Sequence, residues 1–80
     1  MIVYIVTDSN SYVQAYSTKT SARTDIVEAL KEHAARFDYS EEELAAAIQE
    51  LDEDFAAGRI NCGTYLGGYE IFCTESTVED

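Results

Sequence analysis

The chain has 80 residues, with sixteen acidic side chains against five basic ones and a formal net charge of −11 at pH 7. This length predicts one compact domain, residues 1–80, with no space for a large enclosed active site. The acidic balance argues against direct binding of nucleic acid and against attraction to anionic lipid, since both need a basic surface. Because 46% of the residues are hydrophobic, the chain can bury a core, and a basic protein partner is expected.

The chain start and the cysteines exclude further classes. No basic segment and cleavage site accompany the first apolar run, and no apolar run reaches the roughly 18–20 residues that span a bilayer. We therefore expect a cytoplasmic protein. Cys62 and Cys73 lack CxxC spacing and have only His33 beside them, so no metal or other cofactor is expected. Two buried thiols are favoured, and a disulfide between them stays open.

The N-terminal segment has the pattern of a β-hairpin. Residues 2–7 form an apolar run rich in β-branched side chains, which is typical of a strand. Residues 8–11 are turn formers, and residues 12–17 alternate, with Val13 and Ala15 on one face.

A first helix is expected after this hairpin. The polar segment 18–24 offers three N-cap candidates, namely Thr20, Ser21 and Thr24. Spacings of 4, 3 and 4 then define an apolar stripe of Ile26, Leu30, His33 and Phe37. The other face mixes charges, and Glu32 and Arg36 are spaced for an i,i+4 ion pair.

A second helix has clear signals at both ends. Ser40 and Glu43 form a capping box, and glutamates 41–43 complement the positive end of the helix dipole. The same spacings of 4, 3 and 4 define the stripe Leu44, Ile48, Leu51 and Phe55. Gly58 is expected at the C′ position, just beyond the helix.

A second hairpin closes the chain. Strands 59–66 and 69–74 flank Gly67-Gly68, which can supply positive φ angles in a two-residue turn. The register then pairs 66 with 69, 64 with 71 and 62 with 73, so that one face collects Ile60, Cys62, Leu66, Tyr69, Ile71 and Cys73.

The same register places Phe72 across from Gly63, where the ring can cover the glycine. Residues 75–80 are expected to be an acidic, frayed tail. The fold class is therefore α+β with the order ββααββ. It would be a small antiparallel or mixed four-stranded sheet with a two-helix hairpin packed on one face.

The negative charge is concentrated in the second half of the chain. Residues 1–38 carry five acids and four bases, for a net −1, whereas residues 39–80 carry eleven acids and one base, for a net −10. The candidate partner-binding acids on the second helix are Glu42, Glu43, Glu50, Asp52, Glu53 and Asp54. With the apolar stripe on the sheet, Glu42 and Glu53 point outward, and Asp52 and Asp54 lie on the flanks.

Two interpretations of this acidic helix compete. A solvated face that keeps the protein soluble would usually mix charge signs, as the first helix does. Here the acids repel one another without i,i+4 lysines to relieve the repulsion. A row of carboxylates can also imitate the phosphates of a nucleic-acid strand. We therefore expect the face to dock onto a surface rich in lysine and arginine.

Aromatic side chains suggest a second contact face or a homodimer face. Tyr12 and Tyr16 project opposite Val13 and Ala15, so they would lie on the side of the sheet that the helices leave uncovered. The expected members of this face are Tyr4, Tyr12, Tyr16, Tyr65 and Phe72. Ordinary cross-strand packing is the alternative.

No motif indicates an enzyme. His33 is the only histidine and lies on the core-facing stripe, where a packed imidazole is favoured over a catalyst. Counting a calcium loop from Asp52 puts Ala57 at the sixth position and Gly63 at the twelfth, so the EF-hand pattern fails. Phosphate-binding glycine patterns are likewise missing from the sequence.

The uncompensated acids from Glu41 to Asp54, on a compact α+β chain that begins at Met1, resemble those of the small acidic anti-CRISPR proteins of phages and mobile elements. This resemblance implies a non-enzymatic inhibitor without cofactors, in the host cytoplasm. Its acidic face would contact lysines or arginines of a CRISPR effector complex and exclude target DNA. Many such inhibitors are monomers or homodimers, so either state is expected here.

Other functions stay open at this point. An immunity or antitoxin protein would use the same acidic helix to plug the basic site of a nuclease, and an acidic phage protein of structural role would inhibit nothing. A true enzyme or small-molecule binder is disfavoured by the missing constellations.

Overall fold

The computed structural model describes residues 1–78 and contains four strands and two helices. In chain order these are β1 (Ile2–Asp8), β2 (Val13–Tyr16), α1 (Lys19–Arg36), α2 (Glu41–Ala56), β3 (Asn61–Leu66) and β4 (Tyr69–Thr77). The observed order and the α+β class confirm the fold expected from the sequence.

The strands form one antiparallel sheet with the order β2-β1-β4-β3. The two terminal hairpins therefore meet through β1 and β4, which pair from Ile2 with Thr77 to Asp8 with Ile71. Beyond the last pair, the Val78 amide donates to the Met1 carbonyl oxygen at 2.7 Å. The central pairing thus joins the first and last strands of the chain.

Both helices pack on the same face of the sheet, where they share one core with the inward side chains of the strands. The largest fully buried aliphatic side chains of this core are Val6, Ile26, Leu30, Leu51 and Ile71. Burial of each contributes about 1.5–3 kcal/mol. The Thr64 hydroxyl, also buried, donates to the Ala47 carbonyl oxygen at 2.7 Å and so ties β3 to α2.

The β3–β4 hairpin has the predicted register, with Cys62 opposite Cys73 and Leu66 opposite Tyr69. Only the first turn glycine, Gly67, has a positive φ, of 63°. This fits a type II′ turn, since a type I′ turn needs a positive φ at both central residues. Ile60 does not join the inward face: it precedes β3 and is 61% exposed.

The start of α1 differs from the prediction. The helix begins at Lys19, and Thr18 is the N-cap, with its hydroxyl oxygen accepting the Ser21 amide at 3.1 Å. The candidates Thr20, Ser21 and Thr24 are inside the helix. The earlier start brings Ala22 into the core, where it is fully buried, and this packing selects Thr18 over the later caps.

The apolar stripe of α1 is also shifted at its end. The buried residues are Ala22, Ile26, Leu30 and Ala34. Phe37 is the C-cap residue and is 60% exposed, since the helix has ended before its side chain could reach the core.

The α2 termini match the prediction. Ser40 and Glu43 form the complete capping box. At the other end, Gly58 follows the C-cap residue Ala57 and has a φ of 70°. Leu51 is fully buried, and Leu44, Ile48 and Phe55 are partly buried against the core.

The expectation of a frayed tail from residue 75 is wrong for residues 75–77, which belong to β4. Here β4 continues beyond β3 and pairs with the start of β1, for instance through Tyr4 and Glu75. Pairing supplies the backbone hydrogen bonds that a free tail would leave to water. Val78 follows β4 and its amide donates to the Met1 carbonyl oxygen, whereas residues 79–80, the end of the expected tail, lie outside the described residues.

Candidate functional site

The outer surface of α2 carries a row of exposed acids. Glu42, Glu50 and Glu53 are exposed, and no basic residue lies between Glu41 and Ala56. The helix presents them outward because its apolar stripe faces the sheet. We call Glu42, Glu50 and Glu53 the outer acidic face.

Asp52, which is partly exposed, pairs with a residue on the other helix. Arg23 of α1 donates from Nε to Oδ1 at 2.6 Å and from Nη2 to Oδ2 at 2.9 Å, a two-pronged ion pair. The hydrogen bonds from Arg23 lower the pKa of Asp52, more than partial burial raises it. Asp52 is therefore a link between the helices, and its charge is largely neutralised at short range.

Asp54 accepts a hydrogen bond from the edge strand β3. Its Oδ2 accepts the Gly63 amide of β3 at 3.1 Å, and Arg59 Nε lies 3.9 Å from its Oδ1. This carboxylate satisfies an outward backbone donor on an edge strand, which otherwise invites pairing with another chain.

Glu43 has a capping role as well as an exposed position. Its carboxylate accepts the Ser40 amide at 3.4 Å and the Ser40 hydroxyl at 3.1 Å. The structure therefore places three of the six predicted acids, Glu43, Asp52 and Asp54, in contacts within the fold. The remaining three form the outer acidic face, where Glu53 also accepts the Gln49 side-chain amide at 3.2 Å.

Small apolar side chains separate the two ends of the outer acidic face. Ala45 and Ala46 are exposed between Glu42 and Glu50. Because alanine adds little bulk, the helix backbone can come close to an opposing surface at this point. The outer acidic face therefore has carboxylates near both ends and only short side chains at its centre.

The predicted aromatic face does not exist as one surface. Tyr4 and Tyr16 are cross-strand partners on the helix-covered side, where both pack against the core. Tyr12 also turns toward the helices, and its hydroxyl donates to Asp25 Oδ2 on α1 at 3.0 Å. Of the five aromatics, Tyr65 and Phe72 alone lie on the uncovered side, 59% and 45% exposed.

Tyr4 and Tyr16 lie on the covered side because side chains alternate between the two faces along β1, an inner strand of the sheet. Val6 is fully buried beneath the helices, so Tyr4, two residues away, must face the same way. The β1–β2 register then carries Tyr16 to that side and leaves Val13 on the other, 66% exposed. The sequence shows two apolar faces on this hairpin without indicating which one the helices cover.

A cleft of about 300 Å³ lies between the β1–β2 turn, α1 and the start of β4. No sequence motif marks this cleft, although the acids of α1 at 25, 28 and 32 follow the spacing of one helix face. Asp8 anchors its floor: Oδ1 accepts the Asn10 and Tyr12 amides, both at 2.9 Å, and Oδ2 accepts the Tyr69 hydroxyl at 2.8 Å.

These contacts decide the ionisation of the two cleft residues. Desolvation raises the pKa of Asp8, but the hydrogen bonds from Tyr12, Tyr69 and Asn10 together outweigh it and hold that pKa below its usual value. Burial and the bond to Asp8 raise the pKa of Tyr69. Asp8 is thus an acceptor that orders the turn, already engaged by three donors.

His33 forms one wall of the cleft by ring packing. Its imidazole stacks on Tyr69 with a centroid distance of 4.7 Å and on Tyr39 at 5.6 Å, and it contacts Phe37 at 4.7 Å. This position agrees with the packed imidazole favoured from the sequence.

Cys62 and Cys73 face each other across β3 and β4 as free, buried thiols. Burial raises the pKa of both groups, that of Cys73 to about 11. Since the thiolate is the reactive form, both cysteines are weak nucleophiles at neutral pH.

Among residues 1–78, no group of three or more histidine, cysteine or acidic side chains is arranged to hold a metal ion. Neither α1 nor α2 is both long and apolar enough to cross a membrane.

Comparison with known proteins returns no match to this chain among protein-family models, curated proteins or solved structures.

Proposed function

We propose that the protein is a non-enzymatic, stoichiometric inhibitor of the anti-CRISPR type. In this proposal the outer acidic face occupies a basic, nucleic-acid-binding surface of a CRISPR effector complex and prevents target DNA from binding there. The observation that carries the proposal is the exposure of Glu42, Glu50 and Glu53 on a helix that contains no basic residue.

The contrast between the two helices supports a binding role for these acids. On α1, Arg36 Nη2 lies 3.3 Å from Glu32 Oε1, so exposed charges are balanced locally. On α2, Glu50 lies three residues before Glu53 and four before Asp54, spacings at which like charges destabilise a helix by about 0.2–0.5 kcal/mol per pair. A basic partner would relieve this repulsion on binding.

The dimensions of the face also suit a groove that holds nucleic acid. Glu42 and Glu53 are eleven residues apart, which is about 16 Å along a helix and close to one line on its surface. This equals the axial length of about five phosphates of one DNA strand at about 3.4 Å each. Opposite charges across such a contact would also accelerate association.

The first experiment is capture of partners from a host lysate with the tagged protein, followed by DNA-binding assays on the purified partner. We expect a CRISPR effector complex whose affinity for target DNA falls as the protein is added, with saturation near equal stoichiometry. A partner whose DNA affinity is unchanged would contradict the proposed mode of action. Capture of a nuclease toxin instead would support the immunity-protein alternative.

The second experiment tests the surface. The triple variant Glu42→Lys, Glu50→Lys and Glu53→Lys should lose inhibition at least 100-fold while retaining its circular dichroism spectrum. Each removed contact is expected to contribute about 1–2 kcal/mol, within the range for interfacial charges.

The matched control places the same charge change elsewhere. Glu28→Lys, Glu32→Lys and Glu70→Lys alter three exposed acids outside α2 and give the same net charge as the test variant. Inhibition should change less than 10-fold. Equal losses in both variants would mean that net charge, and not the outer acidic face, drives binding.

A further inference from the structure

One face of the sheet is uncovered in the described structure. Both helices pack on the other side, so alternate strand residues point away from them. We call this surface the open sheet face. The argument uses six of its strand positions: Thr7 of β1, Val13 of β2, Gly63 and Tyr65 of β3, and Glu70 and Phe72 of β4.

A continuous row crosses this face from edge to edge. Val13 pairs with Thr7, Thr7 pairs with Phe72, and Phe72 pairs with Gly63. Val13 of the edge strand β2 is 66% exposed and Phe72 of the inner strand β4 is 45% exposed, so two apolar side chains of this row meet solvent. Exposed apolar side chains on the uncovered face of a sheet mark a contact.

The strand positions of the open sheet face are almost without charge, and Glu50 and Asp54 of α2 border the face only at its β3 edge. The chain carries sixteen acids and five bases, yet Glu70, near the turn end of β4, is the only ionisable acid or base at the described strand positions of this face. Depletion of charged residues is the compositional mark of an interface core. An acidic surface needed only for solubility would extend over this side as well.

We propose that the open sheet face is the contact between two copies of this chain, packed sheet on sheet about a twofold axis. The argument for a second copy is self-complementarity, since a face with one charged strand position can meet its own copy with little like-charge contact. Two chains of net charge −11 repel over most of their surfaces. The open sheet face is where they can meet with the acids of α2 turned outward.

The geometry keeps the acidic helices apart in such a dimer. Two sheets pack about 10 Å apart. Each helix layer adds about 10 Å beyond its own sheet, since a helix with its side chains is about 10–12 Å across. The two α2 layers would then lie about 30 Å apart, several times the Debye length of about 8 Å at physiological ionic strength. Their repulsion would be largely screened, and both outer acidic faces would stay accessible.

The area of the face predicts the strength of the dimer. Four strands about 4.8 Å apart, each about 20 Å long, give a flat sheet area of roughly 400 Å² per copy, or roughly 800 Å² for the pair. The side chains that stand on the sheet add some surface to this flat area. Specific interfaces below about 1,200 Å² are weak and transient. The dimer should therefore be weak, and its population should depend on concentration.

The test is sedimentation equilibrium of the full chain from about 1 µM to 1 mM in 0.15 M salt. The mass should rise from that of the 8.9 kDa monomer toward twice that value, and 0.5 M salt should strengthen association. A monomer mass at every concentration would overturn the proposal.

Substitutions then locate the contact. Val13→Glu and Val13→Lys should each weaken the dimer at least 10-fold, because both put a charge in the apolar row whatever its sign. Phe37→Glu is the matched control: Phe37 is 60% exposed but follows α1, and its ring contacts His33 on the helix side. An equal effect of Phe37→Glu, or an unchanged dimer in both Val13 variants, would place the contact elsewhere.

Amide hydrogen exchange of the unmodified chain locates the dimer contact without any substitution. Comparison of dilute with concentrated protein should show added protection at the β2 edge and in β3, and none on α2. Protection confined to α2 would contradict the open sheet face as the contact. Because this measurement uses the native sequence, it decides the question even if the Val13 variants fold poorly.

Discussion

At the scale of single residues, the two glycines of the β3–β4 turn, Gly67 and Gly68, have different structural roles. Gly67 has a φ of 63°, and a Cβ there would come within 2.7 Å of Tyr39 Cζ. Gly68 has no positive φ, and a Cβ there would meet nothing within 4 Å. Backbone strain and a steric clash therefore converge on Gly67 alone.

We expect Gly67→Ala to lower the free energy of unfolding by about 1–3 kcal/mol, from the strained φ and the overlap with Tyr39. Gly68→Ala, its neighbour in the same turn, should change it by less than about 0.5 kcal/mol. Urea denaturation of the two variants measures both. Equal losses would show that the turn needs both glycines.

Asp8 gives the fold a dependence on pH. Its pKa in the folded protein lies below the reference value of 3.8, so its contribution to stability is present above that value and is lost as the pH falls through the folded pKa. Asp8→Asn should therefore be less stable than the wild type at pH 6–7. The difference should shrink below about pH 4.

Urea denaturation between pH 2.5 and 7 measures this profile. Asp38→Asn is the control: it removes the same charge from an exposed residue, and its positive φ of 59° suits asparagine. A difference between Asp8→Asn and the wild type that stays constant with pH would contradict the role given to the Asp8 carboxylate.

At the scale of the elements, the helices begin with different kinds of signal. The α2 capping box was readable because Ser40 and Glu43 satisfy each other within four residues. The α1 cap was not, because the segment around Thr18 offers several hydroxyl side chains with similar local chemistry. The burial of Ala22, four residues after Thr18, selects Thr18 as the N-cap of α1.

We expect Thr18→Ala to cost about 1 kcal/mol of folding stability, since it removes the side-chain acceptor of the Ser21 amide. Thr20→Ala, a change at one of the caps expected from the sequence, should have an effect within about 0.5 kcal/mol. Thermal and urea denaturation compare the two. A larger loss for Thr20→Ala would place the functional cap inside the helix.

At the scale of the whole molecule, excess negative charge acts against the compact state. Like charges on α2 are close together, and the internal ion pairs are few among the described residues: Arg23–Asp52, Glu32–Arg36 and Asp54–Arg59. Arg23 and Asp52 are each more than 40% exposed as side chains, so solvent screening limits what their attraction contributes.

Added salt should therefore stabilise the fold. We expect an increase of about 1 kcal/mol in the free energy of unfolding by urea between 0.02 M and 0.5 M sodium chloride, because screening weakens repulsion among many acids more than it weakens a few ion pairs. The variant Glu42→Gln, Glu50→Gln and Glu53→Gln should show a smaller increase. A fold that salt destabilises would mean that its ion pairs outweigh the repulsion.

Much of this fold could be predicted from the sequence, because it depends on interactions between residues close together in the chain. Element order, the α2 caps and the β3–β4 register all follow from side chains within a few residues of one another, as with Leu66 and Tyr69 across the turn. The concentration of charge on α2 is likewise a property of composition. The apolar stripe of α2 also predicted which of its acids point outward.

Tertiary structure alone decided the rest, because the deciding contacts come from distant parts of the chain. The N-terminal hairpin is apolar on both faces, so only packing of the helices over Val6 assigned Tyr4 and Tyr16 to the covered side. Likewise, Arg23 reaches Asp52 across 29 positions of sequence and engages one of the candidate partner-binding acids within the fold. Periodicity within one element shows that two faces exist, whereas packing between elements determines which face meets solvent.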